Sequence, residues 1–224
     1  MKQNDTIINI ARVGAIAGWL TLATIIVFSV LGPQVIAGQR VSGSLDPTVI
    51  KAYFSHTTLA PFNAGEFVFV FFFIPFAVAM REVLSINARA RFTASVGLAF
   101  CIAAVPMYLI GNALQATLVT VAVRAGDIMP LFRLWDILYN SATYTLEAGY
   151  AGMFALAMRD VRAFPRWMPA FGLVVAALQI LNVTALFAGI PDTLTLIGNI
   201  ALLGWFVGAN IGMGRLAKPL AGAA

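Results

Sequence analysis

Long stretches of apolar residues with almost no charge recur along the chain, and they constrain its fold more than any other feature. A helix needs about 20 such residues to cross the hydrocarbon core of a bilayer. The 224 residues are 61% hydrophobic and only 10% charged, whereas about a quarter of the residues in a soluble domain are charged. We therefore predict an all-α fold, a polytopic membrane helix bundle in which residues 1–224 form a single transmembrane domain.

Six apolar stretches can be placed as transmembrane helices. Their approximate bounds are 8–31, 59–80, 92–123, 131–158, 168–188 and 193–213. The first stretch is too long for the apolar region of a signal peptide and has no clear cleavage site, so we expect it to be retained. In the first external loop, Pro47 at a helix start, followed by apolar residues on one side, predicts a short amphipathic helix.

Lysine and arginine side chains concentrate on one side of the predicted bundle. With six spans, both termini share a side with the second and fourth connections. That side carries ten of the 14 basic residues, namely Lys2, Arg12, Arg81, Arg89, Arg91, Arg159, Arg162, Arg166, Arg215 and Lys218. Because cytoplasmic loops are enriched in basic residues, we expect a multi-pass protein of the inner or plasma membrane with both termini cytoplasmic.

The counts of cysteine and histidine narrow the chemistry. The sequence has one cysteine, Cys101, and one histidine, His56. These counts exclude an intramolecular disulfide, a bis-histidine haem, a histidine-ligated zinc and a Ser-His-Asp triad within one chain. There is no phosphate-binding loop and no cluster of metal ligands, so we predict neither a metal nor another cofactor. The net charge of +5 resides in short loops and does not indicate a nucleic-acid partner.

The fourth span carries a polar stripe that begins at its external end. The members recur every three or four residues and therefore share one helix face. They are Arg133, Asp136, Asn140, Thr143 and Glu147, flanked by Tyr139 and Tyr144. From Met153 onward the span is apolar, so the stripe ends near the middle of the membrane.

Other spans place polar side chains at a matching depth. They are Asn63, Glu66, Asn112, Gln115, Gln179, Asn182 and Asn199. Because polar groups in lipid need partners or water, we predict one polar cavity, open to the external side, with its floor near Glu147. Its candidate ligand-binding residues are Asn63, Asn112, Arg133, Asp136, Tyr139, Asn140, Thr143, Tyr144, Asn182 and Asn199. Alternatively, the amides join helices to one another, and Arg133 with Asp136 is an interfacial ion pair.

Two glutamates lie inside predicted spans, where an ionisable group is costly and often functional. Glu66 stands in the aromatic stretch "AGEFVFVFFFIPF", and Glu147 ends the polar stripe. Either can be a protonated hydrogen-bond donor at neutral pH, and two neighbouring carboxyls can share one proton. Both are candidate catalytic residues if the protein is an enzyme, and the alternative is that they only join helices.

Small residues spaced four apart recur in the spans. In the sixth span, Gly204, Gly208 and Gly212 form one stripe, and such stripes let helix backbones approach closely in lipid. We favour packing within the chain. The alternative is a homo-oligomer or a complex that assembles through these glycines.

Two stretches resemble an uncharacterised bacterial family of six-span integral membrane proteins, known only as a domain of unknown function. They are "FPRWMPAFGLVVAAL" (164–178) and "ARVGAIAGWLTLATIIVFSVLGP" (11–33). The resemblance implies the topology and no activity. In addition, "FNAGEF" is similar to the second span of integral membrane terpene cyclases. There an acid protonates a substrate alkene or epoxide, which implies that role for Glu66, with Asn63 and Phe67 beside it.

Three functions follow as hypotheses. In the first, the bundle binds a small, partly apolar ligand in an outward-facing cavity, for carriage or sensing. In the second, it is an intramembrane enzyme that uses Glu66 or Glu147 as a general acid on an isoprenoid-like or lipid substrate. In the third, it is an accessory subunit of a larger membrane complex. Membrane lipid is the expected surrounding partner in all three.

Overall fold

The computed structural model of the chain describes residues 2–31, 44–55, 59–122, 124, 126–188 and 192–218. Within these ranges the side chains of 2–4, 30–31, 59–60, 121–122, 140, 185–188 and 192–193 lie outside the description. One candidate ligand-binding residue, Asn140, has its side chain outside the described residues, and the single histidine, His56, lies outside them altogether.

The described residues form α- and π-helices and contain no strand. The eight α-helices are α1 (Lys2–Thr24), α2 (Pro47–Phe54), α3 (Leu59–Leu84), α4 (Arg91–Thr117), α5 (Met129–Ile137), α6 (Thr143–Met158), α7 (Met168–Ala188) and α8 (Asp192–Leu216). Three π-helical segments continue α1, continue α4 and join α5 to α6. They are Ile25–Leu31, Leu118–Ala122 and Leu138–Ala142. The predicted bounds of the fifth stretch, 168–188, coincide with α7, and the other five agree with helical ranges to within a few residues at most ends.

Four helices are long and apolar enough to cross a membrane, which is consistent with a membrane protein. These spans are Asp5–Ser29, Pro61–Leu84, Arg91–Thr120 and Leu194–Leu216. Helix α7 contributes a shorter apolar stretch, Met168–Thr184. Large apolar side chains on the outside, such as Phe71 and Ile102, are more than half exposed, as expected of residues that face lipid tails.

The long helices pack in a closed ring. Helix α1 contacts α3, α3 contacts α4, α4 contacts α6, α6 contacts α7, α7 contacts α8, and α8 returns to α1. Two hydrogen bonds fix α3 and α4 as antiparallel neighbours, from Gln115 to Asn63 at one end and from Arg81 to Ser95 at the other. Helix α6 is the most enclosed member, because α4, α7 and part of α3 surround it.

Aromatic side chains fill the centre of the ring. Phe73 of α3 lies 5.6 Å from Tyr150 of α6 and 6.3 Å from Phe206 of α8, measured between ring centroids. Trp205 stacks on Phe154 at 6.4 Å with the rings nearly parallel. The phenylalanines of α3 therefore divide between two roles, since Phe73 and Phe76 are buried in this core while Phe71 faces outward. The single cysteine, Cys101, is buried as well.

Glycines of α8 lie against the same chain. A Cβ atom added to Gly204 would lie 3.4 Å from Phe171, and one added to Gly208 or Gly212 would collide with Met168 or Phe164. The stripe thus serves packing of α8 on α7 and on the segment before it, as we favoured from the sequence. Assembly of a second chain through these glycines stays a prediction.

Helix α2 covers one end of α4 and α5. Asp46 caps its N-terminus by accepting a hydrogen bond from the Thr48 amide at 2.8 Å, and Pro47 occupies the first turn. Its Phe54 ring lies 5.6 Å from Trp135 and 6.2 Å from Phe132. The side chains of Ile50, Tyr53 and Phe54 in this helix are buried in a second, smaller core. The amphipathic helix of an external loop stays a prediction.

Candidate functional site

Glu147 is held by two hydrogen-bond donors from neighbouring helices. The Tyr108 hydroxyl of α4 donates to Oε1 at 2.7 Å, and the Gln179 amide of α7 donates to Oε2 at 2.9 Å. The Tyr150 hydroxyl adjoins that of Tyr108. Each carboxyl oxygen therefore has a partner, and the carboxyl group joins α4, α6 and α7.

A second amide extends this network, which we call the Glu147 relay: Tyr108, Glu147, Gln179 and Asn182. Asn182 Nδ2 donates to Gln179 Oε1 at 2.7 Å, and Asn182 Oδ1 is buried without a partner. One turn away, Asn199 Nδ2 of α8 donates to the Tyr144 hydroxyl at a longer 3.4 Å. The sequence predicted that these polar groups of α6, α7 and α8 lie at one depth. The bonds from Gln179 to Glu147 and from Asn199 to Tyr144 join them directly.

A separate network, the Trp135 relay, consists of Trp135, Gln115 and Asn63. The Trp135 indole Nε1 donates to Gln115 Oε1 at 3.2 Å, and Gln115 Nε2 donates to Asn63 Oδ1 at 2.5 Å. All three side chains are buried. Asn63 Nδ2 has no partner, so the relay ends on a free hydrogen-bond donor.

Glu66 lies one helical turn beyond Asn63 on α3 and is only 2% exposed. Its carboxyl has one hydrogen-bond partner, the Ser29 hydroxyl, which also interacts with Tyr139. The second oxygen, Oε2, is buried and has no hydrogen-bond partner in the part of the chain that the structure describes. Unlike Glu147, Glu66 therefore retains an unused hydrogen-bonding position inside the bundle.

Asn112 belongs to the same neighbourhood. The register set by the Gln115–Asn63 and Arg81–Ser95 bonds of antiparallel α3 and α4 places Asn112 opposite Glu66. Asn112 is 1% exposed and its Nδ2 has no partner. We call Glu66, Asn63 and Asn112, with Ser29 and Tyr139 beside them, the Glu66 site.

Two of the three π-helical segments contribute to this site. Ser29 lies in Ile25–Leu31, and Tyr139 lies in Leu138–Ala142. The Tyr139 ring rests against Gly111, where an added Cβ would come within 2.8 Å of it, and stacks on Trp135 at 5.5 Å. Single π-helical turns occur frequently at functional sites. The meeting of two π-helical segments at the Glu66 carboxyl therefore favours a functional role for this site.

The two glutamates do not contact each other. Each carboxyl has its own set of hydrogen-bond partners, and both lie within electrostatic range of Tyr139. The sequence left open whether the pair shares a proton. In the structure, both carboxyl oxygens of Glu147 have hydrogen-bond donors, whereas Glu66 has a donor on one oxygen only.

The remaining predicted site residues have varied surroundings. Asp136 is buried and pairs with half-exposed Arg133, whose Nη1 lies 3.9 Å from Asp136 Oδ2. Thr143 is buried and donates to the Tyr139 carbonyl within its own helix. Arg133 also lies over the Phe132 ring at 5.8 Å. The described contacts of Arg133 and Thr143 are with near neighbours in sequence.

Sequence reasoning missed three side chains of the networks. Tyr108, Trp135 and Ser29 were not among the candidates, although Tyr108 lies one turn from Asn112 on the same face of α4. Spacing could have indicated Tyr108, whereas the role of Trp135 depends on the contact between α4 and α5. Gln115 and Gln179 were noted for their depth, and the structure shows that they carry the hydrogen bonds of the two relays.

The cavities described in the structure are apolar. A groove of about 670 Å³ opens between α4, α6 and α7 and is lined by residues such as Phe100, Ala148 and Ile180. A small void lies between α3 and α4 beside Cys101. The outward-facing polar cavity stays a prediction. Among the described residues, no group of three His, Cys, Asp or Glu side chains could hold a metal ion.

Comparisons with protein-family models, curated proteins and solved structures found no match. The similarity to the six-span family and to terpene cyclases therefore stays a prediction.

Proposed function

We propose that this chain is a six-span membrane protein that binds a small, partly apolar ligand at the Glu66 site, for carriage or sensing. The observation that carries the proposal is that Oε2 of Glu66 and Nδ2 of Asn63, one helical turn apart on α3, are both buried and both lack a hydrogen-bond partner among the described residues. An unmet hydrogen bond of a buried polar group costs about 1–3 kcal/mol. A ligand that meets these groups recovers that free energy on binding.

The six-span topology is supported by the closed ring of helices, in which α6 and α7 complete the circle begun by the four long spans. The excess of Lys and Arg at one end supports cytoplasmic termini. Single cysteines placed at Ser44, Arg89, Asp127 and Asp160 in a Cys101→Ser background test it. We expect an impermeant maleimide to label positions 44 and 127 on intact cells, and positions 89 and 160 only after permeabilisation. Labelling of position 89 on intact cells would contradict this orientation.

Glu66 suits a ligand better than Glu147 does. Both oxygens of Glu147 already have donors at 2.7 and 2.9 Å, so a ligand would have to displace Tyr108 or Gln179. A ligand can bond to Oε2 of Glu66 without displacing any of the described side chains. We assign to Glu147 the joining of helices, which is the alternative that the sequence left open for both glutamates.

Aromatic side chains around Glu66 can receive the apolar part of a ligand. The Phe28 ring covers Gly65, next to Glu66, and lies 6.3 Å from the Phe62 ring. On the deeper side, Phe69 packs edge-on against Tyr108 at 4.8 Å. A polar group surrounded by aromatic carbon is typical of sites that orient an amphipathic small molecule.

Gentle purification followed by mass spectrometry of extracted small molecules tests ligand binding. We expect wild-type protein to retain a compound that Glu66→Gln retains less well, and readdition of the extract to raise the unfolding temperature of wild type but not of Glu66→Gln. Glu82→Gln is the matched control, because Glu82 is a half-exposed carboxylate of the same helix, paired with Arg81 at 2.5 Å. Equal retention by all three proteins would count against the site.

An intramembrane acid catalyst is the second candidate. It is favoured by the burial of Asn63 and Glu66 together beside Phe67, the residues that are similar to terpene cyclases. In that case an isoprenoid alcohol incubated with reconstituted protein would be converted into a new compound. Conversion that is unaltered in both Glu66→Gln and Glu147→Gln would exclude these two glutamates as the general acid. The accessory-subunit hypothesis stays a prediction, and a stable lone monomer on native mass spectrometry would argue against it.

A further inference from the structure

The Trp135 relay has a fixed direction. An indole nitrogen is a hydrogen-bond donor only, so Gln115 must turn its carbonyl oxygen toward Trp135, 3.2 Å away. Its NH2 group then points to Asn63, which must accept with Oδ1. The remaining group of Asn63, its NH2, is consequently a donor that cannot exchange places with the oxygen without breaking the relay.

The Glu66 site therefore presents a defined set of hydrogen-bonding groups. Asn63 offers a fixed donor, Asn112 offers a second unpaired NH2, and Glu66 offers one unpaired carboxyl oxygen. All three side chains are at least 98% buried. Any group that satisfies Asn63 must carry a hydrogen-bond acceptor, whatever else it carries.

We propose that the Glu66 site takes an uncharged amphipathic ligand whose polar end is a hydroxyl group. A hydroxyl oxygen accepts from Asn63, and its hydrogen donates to Glu66 when the carboxyl is ionised. When the carboxyl is protonated, the same oxygen accepts from it through the second lone pair. The proposal rests on the proposed function and narrows its ligand class.

Charged head groups fit less well. A primary ammonium has three donors and no acceptor, so it leaves the NH2 of Asn63 unpaired. When Glu66 is ionised, a carboxylate accepts from Asn63 but brings a second negative charge into a dry environment. A metal ion would face the NH2 group of Asn63 instead of an oxygen. Of these groups, the hydroxyl leaves the fewest unmet hydrogen bonds.

Three probes with the same chain length separate these classes: 1-dodecanol, dodecylammonium and dodecanoate. Binding to the full-length protein in phosphatidylcholine nanodiscs is measured by the shift in unfolding temperature and by native mass spectrometry. We expect 1-dodecanol to bind at least about fivefold more tightly than either charged probe, the equivalent of one hydrogen bond. The preference should fall in Glu66→Gln and persist in Glu82→Gln.

Two substitutions in the relay test its direction without touching the ligand. Trp135→Phe removes the donor that orients Gln115, and Gln115→Glu offers acceptors to both neighbours and so turns the oxygen of Asn63 toward the site. Both should lower the ratio of dodecanol to dodecylammonium affinity about fivefold or more. Trp167→Phe is the control, because Trp167 is 53% exposed and packs against Phe171 at the start of α7.

The outcomes distinguish this inference from the proposed function. If no probe binds in a manner that depends on Glu66, the ligand site itself is wrong. If dodecylammonium or dodecanoate binds through Glu66 more tightly than dodecanol, the site stands and the hydroxyl assignment is overturned. If Gln115→Glu changes the ratio but Trp135→Phe does not, added charge explains the change and the relay is not the cause.

Discussion

Removal of the Tyr108 hydroxyl tests whether directed hydrogen bonds or packing alone hold Glu147 in the bundle. Tyr108→Phe keeps the ring, which packs against Phe69 at 4.8 Å and Phe73 at 6.1 Å. It deletes the donor to Glu147 Oε1, a bond of 2.7 Å. Gln179 still donates to the other oxygen, so the substitution leaves one buried acceptor without that partner.

Two ranges of hydrogen-bond free energy bound the expected loss of folding stability. Side-chain hydrogen bonds inside membrane proteins average about 0.6 kcal/mol and reach about 1.7, while bonds to charged groups contribute about 1.5–3 kcal/mol in soluble proteins. The Tyr108–Glu147 bond is short and buried, which places it near the upper end of the membrane range. We expect Tyr108→Phe to lower the free energy of unfolding by about 1.5 kcal/mol, roughly a tenfold change in the folded-to-unfolded ratio.

Reversible unfolding in mixed detergent micelles measures this free energy, and a double-mutant cycle with Glu147→Leu isolates the pair. We expect a coupling energy of about 1 kcal/mol or more. Thr21→Val is the control, because the Thr21 hydroxyl is also buried but donates to the Ala17 carbonyl of its own helix at 2.8 Å. A coupling energy near zero, with Tyr108→Phe no more destabilising than Thr21→Val, would show that packing alone holds Glu147 in the bundle.

Three further substitutions test packing, and one of them is a control. Gly14→Ala should destabilise the protein by about 1–3 kcal/mol, because its Cβ would lie 2.5 Å from Ala79. Gly214→Ala should leave the unfolding temperature unchanged, since nothing lies within 4 Å of its added Cβ, and equal shifts would contradict this contact. Phe54→Ala should cost about 3 kcal/mol of local stability in the small core and shift Trp135 emission to the red. Unchanged emission would show that α2 does not cover Trp135.

The sequence predicted the long apolar helices and several polar groups that the structure brings into contact. Apolar length predicted the bounds of α7 at 168–188, and spacing predicted that Glu147 and Gln179 lie at one depth, where they bond. The thickness of the lipid core limits the length of each span. The ends of an apolar stretch therefore show how far along its span a residue lies. Depth is therefore the quantity that the sequence predicts best.

The rotation of each helix could not be predicted in the same way. Glu66 and Glu147 have similar spacing to amides and aromatics, yet one is fully bonded and the other is not. That difference depends on which faces meet, and the π-helical turns change those faces. The Trp135–Gln115 bond likewise joins α5 to α4 across a connection whose geometry no periodicity encodes.

The π-helical segment Leu138–Ala142 has a consequence for how insertions and deletions act on this chain. A π-helical turn takes up about one residue more than an α-helical turn. Loss of one residue here would allow α5 and α6 to become one regular helix and would nearly keep the angle between Trp135 and Glu147, because the removed residue is the one that the wider turn takes up. Loss of one residue between Thr143 and Glu147, in the regular part of α6, would instead rotate Glu147 by about 100° relative to Trp135. The two relays would then no longer fit their partners at the same time. The segment Leu138–Ala142 can thus absorb a single deletion that the regular helix after it cannot.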